Sequence, residues 1–123
     1  MADKCLTYSV FRYVPSKMAG ESINLGVLYV DEQNKKAQFS SIKKTSRLCS
    51  FDDEVDSKSV LELLKSIEKD VEREHLDFSL DSFIKFYINS FCFDKPQKVS
   101  YDDFEDKVEQ LNKIFLRFEY EKI

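Results

Sequence analysis

Hydrophobic periodicity along this chain predicts an α+β fold: an antiparallel β-sheet of three to four strands with two long helices packed on one face. Three observations carry that prediction. Between Leu6 and Ile42 the apolar residues come in short strand-like runs separated by turn residues. After Asp56 they recur every three to four positions instead, the spacing that places side chains on one face of a helix. No internal repeat, linker or shift of composition interrupts the 123 residues, so residues 1–123 read as one domain.

The first strand is Leu6 to Val14, where Leu6, Tyr8, Val10 and Val14 alternate with Thr7, Ser9, Phe11 and Tyr13, and Pro15 ends it. The loop Ser16 to Gly20 leads into a second strand with Ile23, Leu25, Val27 and Tyr29 on one face. Leu28 and Val30 make its other face apolar as well. Turn residues from Asp31 to Lys35 precede a shorter, more polar third strand, Ala37 to Ile42. From Asp56 to about Glu74 the stripe Val60, Leu64, Ile67 and Val71, widened by Leu61 and Leu63, predicts a helix that Asp56 or Ser57 can cap. Leu80 to Phe93 is densely apolar without a clean period and reads as a short helical start followed by a strand near Phe91. Beyond Pro96, Ser100 is a candidate cap for an amphipathic helix carrying Phe104, Val108, Leu111, Phe115 and Phe118 on one side.

Composition narrows the class of protein. Leu, Ile, Val and Phe make up 38 of the 123 residues, well above the level of disordered chains. No apolar run approaches the ~20 residues of a membrane span, and the N-terminal residues lack the layout of a signal peptide, so the expectation is a cytoplasmic protein. Cys5, Cys49 and Cys92 are odd in number and more than forty positions apart, unlike a disulfide framework, and are expected to be buried thiols. With His75 they offer four zinc donors but none of the closely spaced pairs that structural zinc sites use, so neither metal nor cofactor is expected. His75 fits a helix-end cation better than the base of a catalytic cysteine.

The net charge of −4 hides an asymmetry, because residues 1–50 carry 8 basic and 4 acidic side chains and residues 51–123 carry 11 and 19. Lys35, Lys36, Lys43, Lys44 and Arg47 crowd into thirteen residues and form a candidate basic patch for phosphate or an acidic partner. No aromatic residues interleave with them for base stacking, which favours a solvated hairpin and loop over a nucleic-acid surface.

The most informative polar residues are Arg12, Glu21, Asn24 and Gly26, set among the residues of the first two strands. Arg12 requires a carboxylate if it is buried, and Glu21 at the base of the same hairpin is the expected partner. Gly26 has no side chain to pack and marks a bulge or a close approach to the backbone. Two readings stand. In one, these residues form a structural clasp, with Asn24 satisfying turn amides. In the other, they line a binding or catalytic pocket.

The same residues carry a resemblance. Arg12-Tyr-Val-Pro15 followed by Gly20-Glu21-Ser-Ile-Asn24-Leu-Gly26-Val-Leu is similar to the N-terminal signature of a bacterial family known as domain of unknown function 3037, the likeness being best over residues 8–31. The resemblance implies a small cytoplasmic protein without an assigned enzymatic activity, in a family some of whose members are encoded beside kinase-like proteins of the toxin type.

Two functions therefore compete. The first is a non-enzymatic protein–protein interaction or regulatory module whose partner is another protein, such as a kinase-like toxin or a defence complex. It agrees with the lack of a glycine-rich phosphate loop, a metal-ligand cluster or a histidine-supported nucleophile, and so assigns no catalytic residue. The second is an enzyme or nucleic-acid-processing subunit in which Glu21, Asn24 and Arg12 face a pocket while Lys43, Lys44 and Arg47 steer a phosphate-bearing substrate.

Overall fold

A computed structural model describes residues 4–16, 21–31, 33–73 and 91–117. Strand β1 (Cys5–Ser16) is central: β2 (Glu21–Asp31) pairs with it on one side, and β4 (Phe91–Phe93) and β5 (Gln97–Ser100) share the other. β3 (Lys36–Ser41) pairs with β2 and forms the opposite edge. All of these pairings are antiparallel, and with the helices they make an α+β fold. β4 and β5 lie along one side of β1, broken at Asp94 to Pro96, where proline removes a main-chain donor.

The three N-terminal strands match the expected meander. The expected strand near Phe91 is β4, while β5 was not legible, because Gln97, Lys98 and Ser100 are polar and exposed and leave only Val99 as an apolar mark. The helical start expected after Leu80 lies outside the described residues, as do His75 and Phe118.

Helix α1 (Ser46–Phe51) is short and went unread, since it buries only Leu48. Helix α2 (Ser57–Arg73) follows the expected stripe, with Val60, Leu64, Ile67 and Val71 all buried. Asp56 accepts from the Ser59 amide at 3.3 Å and from its hydroxyl at 2.8 Å, and these bonds, the hydroxyl's first, lower the Asp56 pKa. Helix α3 (Phe104–Phe115) buries Phe104, Val108, Leu111 and Asn112. Its cap is Asp103 rather than Ser100, because Ser100 is still paired with Cys5 in the sheet. Glu105 and Asp106 in its first turn and Lys113 in its last complement the helix dipole.

α3 lies over the face of the sheet that carries Tyr8 and Tyr29. The Tyr8 ring meets Phe115 at 5.6 Å, and the Tyr29 hydroxyl donates to Asn112 Oδ1 at 2.5 Å. The opposite face gathers Phe11, Tyr13, Phe39, Phe91 and Phe93, and α1 reaches it through Phe51 against Tyr13. Leu25 to Asp31 are buried without a break, so β2 is covered on both faces. That explains why its sequence shows no polar alternation. One apolar cluster joins sheet and helices, from Leu6 and Val10 to Ile67 and Leu116.

Gly26 lies within the aromatic face. A β-carbon there would stand 2.5 Å from Cζ and 2.9 Å from Cε1 of Phe39, and 2.9 Å from the Ser40 carbonyl. The close approach expected at this glycine is thus made by the Phe39 ring, which also meets Phe11 edge-on at 6.2 Å.

Candidate functional site

At the Arg12 end of the sheet, β1 and β2 slip register between Phe11, opposite Gly26, and Arg12, opposite Asn24. The extra residue, Leu25, makes a bulge beside Asn24, whose side chain reaches the C-terminus of α3. Asn24 Nδ2 donates to the Phe115 carbonyl at 3.1 Å, so it caps the end of that helix rather than satisfying turn amides. Arg12 does not pair with Glu21, which is exposed. Its Nε and Nη2 reach Asp94 Oδ2 at 2.6 and 2.5 Å, and Nη1 meets the Ser22 hydroxyl at 3.4 Å. Asp94 is held in turn by its main chain, whose amide donates to the Val10 carbonyl at 2.8 Å and whose carbonyl accepts from Ser9 Oγ at 2.6 Å. The guanidinium therefore ties the break between β4 and β5 to the centre of the sheet.

The basic residues do not form one patch. Lys35 and Lys36 stand where β2 turns into β3, and Lys43, Lys44 and Arg47 follow the far end of β3, so about 20 Å of strand separates the groups. Lys36 Nζ lies 5.5 Å from the Phe104 ring centroid, and Lys43 pairs with Glu68 at 3.7 Å. Arg47 shares a shallow depression with Ser22, Ile23, Ser46, Ser50 and Phe51.

The opposite end holds a polar group that sequence reasoning missed. Asp31 is 1% exposed and accepts hydrogen bonds from the Tyr101 hydroxyl, the Asn34 amide at 3.2 Å and Asn34 Nδ2 at 2.8 Å. Burial works against its charge, but the bonds from the Asn34 and Tyr101 side chains and from the Asn34 and Gln33 amides outweigh it and hold the carboxyl below its usual range. The Tyr101 hydroxyl is pushed up, by burial first and by Asp31 second. An acid, an Asn three residues on and a Tyr beside the last helix were all visible, but nothing local pairs residues 31 and 101.

A groove of about 360 Å³ runs beside β3. Val108, Glu105 and Glu109 of α3 form one wall and the Lys43–Glu68 pair forms the other. Gln38 and Ser40 line it from more exposed positions, and Phe39 and Ser41 touch it although both residues are buried, main chain included. Ile42 N donates to the Leu25 carbonyl at 3.0 Å, which makes Leu25–Ile42 a hydrogen-bonded pair and, by alternation, Val27–Ser40 and Tyr29–Gln38 as well. The bond from Asp94 N to the Val10 carbonyl sets the same phase from across the sheet. The amides and carbonyls of Ala37, Phe39 and Ser41 therefore point away from β2. Among the described residues no strand pairs with this edge.

The thiols are not buried as expected. Cys5 and Cys49 are exposed and Cys92 is half-buried, each on a different element, because all three lie on strand or helix positions that face away from the core. Among the described residues no helix is long and apolar enough to cross a membrane.

No curated protein and no solved structure matches the chain. A family model described as a protein of unknown function does match it over residues 8–83, a span that begins in β1 and includes β2, β3, α1 and α2. With more than half of its length covered and the Arg12 to Gly26 signature inside that span, the chain belongs to the DUF3037 family.

Proposed function

We propose that this protein is a non-enzymatic interaction module that regulates another protein in the cytoplasm of a bacterium, the partner being a kinase-like toxin or a component of a defence complex. One observation supports this over a catalytic reading. Two of the three polar residues that would have formed a pocket are engaged in the framework, Arg12 with Asp94 and Asn24 with Phe115, while a groove of about 360 Å³ lies between β3, α3 and the Lys43–Glu68 pair. Arg12 does not give up its proton in a protein and Asn24 does not titrate, so Glu21, exposed on β2, is the one member of that trio with acid–base chemistry, and the other two are held away from it by their own partners.

The test is affinity capture from the native cell with quantitative mass spectrometry. A stoichiometric protein partner is the expected result. Absence of such a partner, together with turnover of a phosphate-bearing substrate that Glu21→Gln abolishes at unchanged melting temperature, overturns the proposal in favour of an enzyme.

A further inference from the structure

We draw no further inference here: the strongest candidate, the shallow depression between the start of β2 and helix α1 where Ser22, Ser46 and Ser50 gather beside Arg47, carries nothing, because nothing in the structure shows what occupies it and Arg47 already has an interaction of its own.

Discussion

The two edges of the sheet solve the same problem in opposite ways. A row of outward main-chain groups invites another strand, and folded proteins usually blunt it. On the β4–β5 side the edge is short and broken, with Pro96 removing a donor and Arg12 pinning Asp94 at the break. On the β3 side six residues run without proline or break, and Phe39 and Ser41, whose main chains face away from β2, are buried as whole residues. One edge is closed by local chemistry and the other by burial against the packed core.

The largest test of that contrast removes the packing. Phe39→Ala is expected to cost about 3–5 kcal/mol in urea denaturation, since a buried ring is lost against Gly26 and Phe11. Phe93→Ala, on the half-buried side of the same cluster, is expected to cost less than half as much; equal losses would mean that the two edges are anchored alike.

Next in size is the closure of the broken edge. Arg12→Ala is expected to lose about 1 kcal/mol, a modest figure because both partners are about a third exposed, and a cycle with Asp94→Ala should return most of it as coupling. Glu21→Ala is expected to change stability by less than about 0.5 kcal/mol, and a larger loss would restore Glu21 as the partner of Arg12.

Acid distinguishes the ends of the strands. The Asp31 carboxyl is depressed in the folded state, so it adds stability above its unfolded value of about 4, and that contribution is lost as pH falls through the lower folded value. Asp31→Asn should flatten stability against pH in that acid window. Tyr101 has the opposite sign: its folded value is raised, so its contribution is full below pH 10.0 and lost as pH climbs through the higher folded value, which Tyr101→Phe removes. The smallest expected effect is at the end of α3, where Asn24→Ala loses one hydrogen bond to the Phe115 carbonyl, about 1 kcal/mol or less, seen as faster amide exchange in the last turn.

Legibility followed sequence distance. Strands β1 to β3 and helices α2 and α3 were readable because their periods are local, as in the Val60 to Val71 stripe. The partner of Arg12 was not, since Asp94 is 82 residues away and Glu21 only nine, and a sequence offers no reason to prefer the remote acid. Lys35 to Arg47 looked like one patch because contiguity in the chain says nothing about a six-residue strand holding its ends apart. Asn112 shows the reverse case, a polar residue on an apolar stripe, four positions after Val108, whose partner Tyr29 could not be inferred from either position alone.

The remote closure also orders folding. Leu6 pairs with Val99 and Phe11 with Phe93, so β1 acquires its second neighbour only after residues 91–100 have returned across most of the chain. Such contacts close large loops and form late, whereas the β1–β2–β3 meander closes small ones. During synthesis β1 therefore leaves the ribosome as a temporary edge, and a chain stopped before Phe91 keeps it one, paired with β2 alone.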